Sequence, residues 1–222
     1  MMAPVFPNGI PVTQPQSSPS ASGSQAWLFF RQWLKNPLSI AALAPSGTQL
    51  AGRMTAELPP GAKRVIELGA GTGVFTRAML DSGIAPEQLL VVELNEELYE
   101  HLRAQFPDAR VVCGNACELT SIVAEKEFSK AGEVDAVISG LGLLNMSRDL
   151  QRSIMQSAFD VLKPGGSFIQ FTYSPKPPLS RELIDELGLS VRRGGFAWRN
   201  IPPASVFVFS RMRSEQMHAV RS

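Results

Sequence analysis

The chain is poor in the residues that bind metals or form disulfides. Its 222 residues include only two cysteines, Cys113 and Cys117, and two histidines, His101 and His218, far apart in the sequence. So few cysteines exclude a disulfide-stabilised secreted domain, and these four residues make a poor zinc-binding set. We therefore interpret both cysteines as packing residues and predict no metal site.

The chain also lacks an excess of charge and long apolar runs. Lys and Arg number 21 and Asp and Glu 20, for a net charge of +1, so no overall field favours nucleic acid. No apolar run approaches the ~18 residues of a membrane-spanning helix. No basic segment followed by an apolar one suggests a signal peptide, so we expect a cytoplasmic protein. The apolar fraction, 44%, is sufficient for a packed core.

Composition divides the chain into four predicted segments. Residues 1–24 are uncharged and rich in Pro, Ser and Gln, and this predicts a disordered tail. A helical extension is predicted over residues 25–57. It begins with "QAWLFFRQWLKNP", in which Pro37 ends a helix near Lys35. Residues 58–213 are predicted to form the main domain and residues 214–222 a C-terminal tail.

The main domain alternates predicted strands and helices. The first five strands are "RVIEL", "LLVVE", "ARVVC", "VDAVIS" and "SFIQFTY". The helices between them cover Gly73–Ser82, "NEELYEHLRAQF", Leu119–Phe128 and Arg148–Leu162. After a short helix near Glu182–Leu187, "LSVRR" and "ASVFVFS" are predicted to form an antiparallel edge hairpin. Nearly all-apolar strands are typical of a parallel sheet covered on both faces. The prediction is an α/β fold: a doubly wound, mostly parallel, seven-stranded Rossmann-like sheet with an added N-terminal amphipathic helix.

A glycine-rich turn, "ELGAGTG", follows the first strand. This is where such a sheet binds its ligand. Gly69, Gly71 and Gly73 are spaced G-x-G-x-G, but a dinucleotide site needs a small residue one position later, where Val74 stands. No Lys follows the turn, which excludes a P-loop. Glu67 precedes the first glycine by two residues and favours a cationic ligand over a pyrophosphate.

A second acidic residue, Glu93, ends the second strand 20 residues after Gly73. An acidic residue at this place accepts hydrogen bonds from ribose hydroxyls. A ligand with a ribose, a positive charge and no pyrophosphate is therefore indicated, and S-adenosylmethionine fits this description. Two other interpretations stay open, a glycine turn used only for packing and Glu67 as a helix-capping or ion-paired carboxylate.

The ordered motifs "ELGAGTG", "VVELN" and "GNACEL" resemble those of the class I S-adenosylmethionine-dependent methyltransferases over about residues 60–173. The resemblance implies that Glu67 and the glycine turn hold the methionine part, Glu93 the ribose and Asn115 the adenine, with S-adenosylhomocysteine as product. Asn115 stands where the family more often has Asp. Its carbonyl is still an acceptor, although a turn-stabilising role stays open. The implied cofactor-binding residues are Glu67, Gly69, Ala70, Gly71, Gly73, Glu93, Leu94, Asn115, Ala116 and Ser139.

A second resemblance covers about residues 27–211. The segments "FFRQWLKNP", "APSGTQLA", "SGLGLLNM", "VLKPGGSFIQFTYSP" and "WRNIPPASVFVF" together resemble those of the bacterial phospholipid N-methyltransferases, which convert phosphatidylethanolamine towards phosphatidylcholine. Gly142 departs from that family, in which we expect Pro. The resemblance implies a phospholipid substrate and peripheral association with the inner face of the membrane. The sequence gives no sign of an obligate protein partner, and we expect none. The Asn/Asp-Pro-Pro-aromatic motif of nucleic-acid amino-methyltransferases is missing after the fourth strand, which argues against a nucleic-acid substrate.

The predicted N-terminal helix is amphipathic. At about 100° per residue, aromatic residues share one face and Arg31 and Lys35 lie opposite. This pattern is typical of a helix in a membrane interface, where Arg31 and Lys35 would favour anionic lipid. A helix that packs onto the domain stays open, as does one that closes over the cofactor when docked. The predicted substrate- or membrane-binding residues are Trp27, Phe30, Arg31, Trp33, Leu34, Lys35, Gly140 and Leu141.

Methyl transfer depends mainly on positioning. Tyr173, just past the fifth strand, is predicted to orient the acceptor amine or relay its proton, although a core or lid tyrosine is the open alternative. The backbone carbonyls of Ser139, Gly140 and Leu141 are predicted to face the amine. Three rival functions remain at this stage: an rRNA adenine methyltransferase, a small-molecule or protein methyltransferase with a purely structural N-terminal helix, and a non-enzymatic sensor of S-adenosylmethionine.

Overall fold

The computed structural model describes residues 45–198 and 203–212, which form one seven-stranded sheet in the order β3-β2-β1-β4-β5-β7-β6. The strands are β1 (Val65–Leu68), β2 (Leu89–Glu93), β3 (Arg110–Cys113), β4 (Val134–Ser139), β5 (Leu162–Thr172), β6 (Leu189–Ala197) and β7 (Ala204–Arg211). β1 to β5 are parallel, and β7 is antiparallel to both β5 and β6. The predicted α/β sheet and its antiparallel edge hairpin are confirmed.

Six α-helices of the described chain cover the two faces of the sheet. They are α1 (Pro45–Thr55), α2 (Val74–Asp81), α3 (Glu96–Gln105), α4 (Leu119–Glu125), α5 (Arg148–Val161) and α6 (Arg181–Glu186). Side chains from α1, α2 and α3 join one apolar cluster with β1 and β2. Side chains from α4, α5 and α6 join the other. Helices on both faces explain why the central strands are largely apolar.

One helix, α1, lies inside the predicted helical extension over residues 25–57, but its own sequence has no feature that predicts a helix at these residues. Its sequence, "PSGTQLAGRMT", contains Pro, Ser, two Gly and two Thr, which have low helix propensity. Tertiary packing overrides that propensity, because Leu50, Ala51 and Met54 are buried at helical spacing. α1 packs against α2 and β6, so the sheet, rather than the local sequence, makes this segment helical.

Two predicted boundaries were wrong. Residues 163–166 were predicted to separate a helix from the fifth strand, but α5 ends at Val161 and β5 begins at Leu162, which pairs with Val134 before the register shifts at Ala136. The segment "KPGG" is thus an irregular part of the strand. α4 ends at Glu125, not Phe128, because Glu127 has a φ of 48° and cannot continue the helix.

Several predictions concern the N-terminal region. The predicted amphipathic helix, with Trp27, Phe30, Arg31, Trp33, Leu34 and Lys35, lies outside the described residues. The proposed division at residues 24, 57 and 213 stays a prediction. None of the described helices is long and apolar enough to cross a membrane.

Candidate active site

The carboxyl ends of four neighbouring parallel strands, β3, β2, β1 and β4, meet at one edge of the sheet. The Gly69 N–H donates to the Val92 carbonyl at 2.8 Å, and the Gly140 N–H donates to the Leu68 carbonyl at 2.8 Å. The Gly114 N–H donates to the Glu93 carbonyl at 2.9 Å. The loops after β1, β2, β3 and β4 therefore start side by side. The motifs that the sequence places after these strands thus lie close together.

The glycine loop, Gly69–Gly73, has a backbone that only glycine adopts readily. Gly69, Gly71 and Gly73 have φ of 67°, 59° and 80°. A Cβ at Gly69 would lie 2.5 Å from Leu141 Cδ2, and one at Gly73 would lie 2.4 Å from the Phe106 ring. Conformation thus restricts all three positions to glycine, space also restricts Gly69 and Gly73, and the loop presents backbone at the edge of the sheet.

Glu93 is held with its carboxylate at this edge. The Gly71 N–H donates to Oε2 at 2.9 Å and the Asn95 N–H donates to Oε1 at 3.0 Å. A carboxylate has about four acceptor positions, so each oxygen keeps a lone pair for a further donor. Two adjacent ribose hydroxyls match this acceptor pair, and Glu93 also fixes the glycine loop to β2.

Glu67 is fully buried at the end of β1. The Thr76 hydroxyl and backbone N–H both donate to its carboxyl group. Because Thr76 is the third residue of α2, Glu67 caps that helix, as one of the interpretations left open suggested. Its second oxygen, Oε1, has no hydrogen-bond partner in the described part of the chain. Burial raises the pKa of Glu67 to about 8. An unpaired buried acceptor of this kind is suited to a cationic group.

We expect the binding of S-adenosylmethionine to release a proton if its ammonium group approaches Glu67. Below about pH 8 the free protein holds Glu67 protonated, and an adjacent positive charge favours the carboxylate. The affinity should therefore rise as the pH increases from about 6 towards 8. Calorimetry in two buffers of different ionisation enthalpy measures the released proton. Glu67→Gln is the control, with weaker binding and no proton release; an affinity independent of pH in the wild type would contradict this role.

The predicted adenine-side residues follow β2 and β3. The Asn115 carbonyl oxygen accepts the Cys117 N–H at 3.0 Å, so this side chain does stabilise a turn. One lone pair of that oxygen remains for another donor. Leu94 is 69% exposed directly after Glu93 and offers an apolar surface on which a planar ring can lie. Ala116 opens the short 3-10 helix Ala116–Glu118 beside them.

The acceptor loop, residues 140–147, follows β4 and is fixed by two buried glutamines. Gln170 Nε2 donates to the Leu141 and Phe171 carbonyls, both at 2.8 Å. Gln151 Nε2 donates to the Leu143 carbonyl at 2.7 Å. Of the three carbonyls predicted to face an amine, that of Leu141 is thus already engaged. Buried Ser139 accepts the Leu141 N–H through its hydroxyl oxygen at 3.3 Å.

The two glutamines were missed at the sequence level, although one signal was present. Gln170 lies in "SFIQFTY", an otherwise apolar strand, and a buried polar residue in such a strand needs partners. Its amide orientation is unambiguous, because Nε2 faces two carbonyl oxygens. Gln151 lies on α5 without any distinguishing pattern, so only the tertiary structure reveals its contact with the acceptor loop.

We expect Gln170→Leu to lower turnover about tenfold while leaving cofactor affinity unchanged. The substitution removes the donor to the Leu141 carbonyl, and an unpaired buried carbonyl costs about 1–3 kcal/mol, which the loop can avoid by moving. Turnover, the dissociation constant for S-adenosylmethionine and the melting temperature distinguish a displaced loop from global unfolding. Gln105→Leu, at the exposed end of α3, is the matched control. Wild-type turnover in Gln170→Leu would show that the hydrogen bond from Gln170 to the Leu141 carbonyl has no functional role.

Tyr173 is connected to the glycine loop by a row of aromatic rings. Its ring packs edge-to-face on Phe171 with centroids 5.5 Å apart, and Phe171 packs on Phe75 at 5.8 Å. Phe75 is the second residue of α2, directly after the loop. Desolvation raises the pKa of the Tyr173 hydroxyl above its usual range. A neutral phenol at the edge of the sheet can orient an amine but is a poor base, which favours the first of its two predicted roles.

The acceptor loop, at Gly140, and the start of α1, at Gly47, also lie at this edge of the sheet. A Cβ at Gly140 would lie 2.5 Å from the Gly69 carbonyl oxygen, so the acceptor loop crosses the glycine loop in direct contact. A Cβ at Gly47 would lie 3.6 Å from Val74 Cγ1. The N-terminal end of α1 therefore lies beside the first residue of α2.

These residues fit a sulfonium nucleoside in three separate respects. Glu67 Oε1 is an unpaired buried acceptor near a loop that only glycine can form. The Glu93 carboxylate is oriented by two backbone N–H groups. Leu94 is an exposed apolar side chain next to Glu93. Together they provide a place for a cation, a ribose and a purine, in that order along the edge from β1 to β2.

Comparison with known proteins places these features in context. A family model described as a methyltransferase domain matches residues 65–166. The ornithine lipid N-methyltransferase of Singulisphaera acidiphila is 32% identical over 187 residues, which cover 82% of this chain and 93% of that protein.

Solved structures share the fold at lower identity. A glycopeptide N-methyltransferase complexed with (S)-adenosyl-L-methionine matches with a TM-score of 0.56 and 17% identity, covering 75% of this chain and 94% of that one. The Burkholderia thailandensis 1,6-didemethyltoxoflavin-N1-methyltransferase, with bound 1,6-didemethyltoxoflavin and S-adenosylhomocysteine, matches with a TM-score of 0.56 and 16% identity, covering 90% and 92%.

Proposed function

The chain belongs to the class I S-adenosylmethionine-dependent methyltransferases, and we propose that it methylates the amine headgroup of a membrane lipid, with phosphatidylethanolamine and its methylated derivatives as substrates. S-Adenosyl-L-methionine is the methyl donor and S-adenosyl-L-homocysteine the product. The observation that carries the lipid proposal is the 32% identity to a lipid N-methyltransferase along 93% of its length. A match of that extent includes the acceptor loop as well as the cofactor motifs.

An ornithine lipid is the second candidate substrate, because the lipid-methylating relative is named for it. Ornithine lipids and phosphatidylethanolamine both present a primary amine at the bilayer surface. The segments around the acceptor loop and β5 resemble those of the phosphatidylethanolamine enzymes, which is the reason for our order of preference. Both candidates undergo the same N-methylation, so the two proposals differ only in which lipid is methylated.

The proposed mechanism assigns positioning to the residues of this chain. Bound at the edge of the sheet, S-adenosylmethionine would supply a methyl group on its sulfonium to a neutral amine, with S-adenosylhomocysteine as the leaving group. Glu67, the glycine loop and Glu93 hold the two ends of the cofactor. Tyr173 accepts a hydrogen bond from the amine, and the Gly140 carbonyl faces it from the acceptor loop. The headgroup ammonium loses one proton to water before attack, because only the neutral amine has a lone pair and neutral Tyr173 does not take the proton.

Tyr173→Phe should lower turnover by about 10–100-fold with little change in stability. The hydroxyl is the only group lost. A side chain that transfers a proton typically increases the rate about 10²–10⁴-fold. Because Tyr173 is proposed only to orient the amine, its contribution to the rate should be smaller. Initial rates at saturating cofactor measure the effect. Tyr99→Phe, on α3, is the matched control. Full turnover in Tyr173→Phe would remove Tyr173 from the mechanism and favour the interpretation as a lid or core residue.

Labelled S-adenosylmethionine tests the substrate directly. The full chain is incubated with vesicles of phosphatidylcholine alone, or with added phosphatidylethanolamine or ornithine lipid, and the extracted lipids are separated. We expect label in mono- and dimethylated phosphatidylethanolamine. Label confined to the ornithine lipid vesicles would establish the second candidate. Label in neither lipid would refute a lipid substrate. It would favour the two rival functions, methylation of a small molecule or of rRNA adenine.

The N-terminal extension is proposed to contact the membrane and to close over the cofactor. Its support in the structure is the position of α1, whose first turn lies beside the glycine loop through Gly47 and Val74. α1 therefore begins beside the proposed cofactor site. Deletion of residues 1–36 should reduce pelleting with anionic vesicles, and unchanged pelleting would contradict an interfacial helix.

A further inference from the structure

The exposed apolar side chains of the described chain are not scattered over its surface. Five large apolar residues are substantially exposed: Leu94, Leu144, Leu150, Tyr173 and Trp198. Trp198 is 77% exposed, which is unusual for the largest side chain. Single exposed apolar residues need no explanation, but exposed residues that all lie in one region do.

All five lie at the same edge of the sheet. Leu94 follows β2, Leu144 follows β4 and Tyr173 follows β5. β6 runs antiparallel to β7, which is itself antiparallel to β5. The end of β6 is therefore at the edge where the parallel strands end, and Trp198 follows it directly. Leu150 is in the first turn of α5, the helix that starts at that edge.

The charge of the loops divides this edge into two halves. On the side of β4, β5 and β6, segments 139–147, 171–180 and 193–198 contain Lys176 and Arg193 and no Asp or Glu, whereas at the start of α5 Arg148 pairs with Glu186 and Asp149 with Arg152. On the side of β2, Leu94 is followed by Glu96, Glu97 and Glu100. An anionic surface is thus attracted by the first half and repelled by the second.

We propose that Leu144, Leu150, Tyr173 and Trp198 form an acceptor rim that docks on an anionic phospholipid bilayer. This rests on the proposed lipid substrate and adds a surface within the methyltransferase domain itself, separate from the N-terminal helix. Leu94 belongs to the acidic half and stays with the predicted cofactor site. β4, β5, β7 and β6 are neighbours, so the rim spans three strand spacings, about 14 Å.

Trp198 is held in place rather than freely extended. Its ring packs edge-to-face on Phe196 with centroids 4.9 Å apart, and the Arg193 guanidinium lies 5.4 Å from the centroid of Phe196. An aromatic side chain next to a basic one suits the headgroup level of a bilayer. Lys176, exposed in the loop after Tyr173, adds a second positive charge on the same side.

Docking by this rim brings a lipid headgroup to the reacting atoms. Leu144 lies in the acceptor loop, and Tyr173 is the proposed partner of the amine. A bilayer seated on the rim therefore places a headgroup between these two loops while the acyl chains stay in the membrane. No lipid has to be extracted, so the domain needs no deep apolar cavity to act on one.

Fluorescence of Trp198 tests the rim independently of the N-terminal helix. The chain has three tryptophans, so Trp27→Phe with Trp33→Phe leaves Trp198 as the only one in the full chain. On addition of anionic vesicles we expect a blue shift of its emission and quenching by lipids brominated near the headgroup. If the protein pellets with vesicles while the emission of Trp198 stays unquenched, the proposal is overturned. The rim is then covered by the N-terminal segment or by a second copy of the protein instead of by lipid.

A double variant separates the rim from the substrate assignment. Leu150→Ser with Trp198→Ala, two rim residues outside the acceptor loop, should lower turnover on vesicles about tenfold or more, yet keep wild-type turnover on short-chain lipid dispersed as monomers. Ser153→Ala, an exposed polar residue one turn after Leu150 on α5, is the control. Equal losses on both forms of lipid, or no loss on vesicles, would refute docking by the rim. If no lipid is methylated in any form but Trp198 is still quenched, the proposed substrate fails and the rim stands.

Discussion

Replacement of Glu93 by alanine is expected to raise the dissociation constant for S-adenosylmethionine by about 100-fold. Hydrogen bonds to a charged group contribute about 1.5–3 kcal/mol each, and the loss of two ribose bonds amounts to about 3 kcal/mol, which is about 100-fold in affinity. The substitution also removes the acceptor of the Gly71 and Asn95 N–H groups. The glycine loop therefore loses its attachment to the end of β2.

Isothermal titration calorimetry of Glu93→Ala measures this loss. Glu96→Ala is a matched control, because Glu96 is an exposed glutamate three residues further along, in the first turn of α3. It should bind the cofactor as the wild type does. If Glu93→Ala binds within threefold of the wild type, the ribose is held elsewhere and the assignment of the edge from β1 to β2 is wrong.

Gly140→Ala should destabilise the protein by about 1–3 kcal/mol and abolish turnover. The added Cβ would lie 2.5 Å from the Gly69 carbonyl oxygen, which is part of the backbone and cannot rotate away. Overpacking of this kind typically costs about 1–3 kcal/mol. The acceptor loop and the glycine loop would have to separate, and with them the proposed amine site and the cofactor. The unfolding free energy and the vesicle assay measure the two effects.

The same substitution elsewhere gives the opposite expectation. Gly52 lies inside α1, is exposed, and has no heavy atom within 4 Å of an added Cβ. Gly52→Ala should stabilise the protein by about 0.5–1 kcal/mol, because alanine is the better helix former. A melting temperature unchanged in Gly140→Ala would mean that the two loops are not in the contact described.

The sequence determined the fold class and the kind of cofactor, and local chemistry explains why. Strands buried on both faces are nearly all apolar, which leaves a signal in "LLVVE" and "VDAVIS" that needs no tertiary information. The glycine loop is similarly local, because a positive φ at Gly69, Gly71 and Gly73 restricts those positions to glycine. The position of Glu93 at the end of a strand follows from the same alternation of strands and helices.

Only the tertiary structure decided which residues support the acceptor side. The helix α1 forms because Leu50 and Met54 are buried, in spite of a sequence with low helix propensity. Gln151 and Gln170 act on the acceptor loop across 8 and 29 residues of sequence, and no local pattern records such a contact. Trp198 joins Tyr173 and Leu144 at one edge only because β7 is antiparallel and returns the chain, so that β6 ends where β4 and β5 end. Backbone conformation is encoded locally and can be predicted from sequence, whereas a surface assembled from separate loops depends on the order and direction of strands.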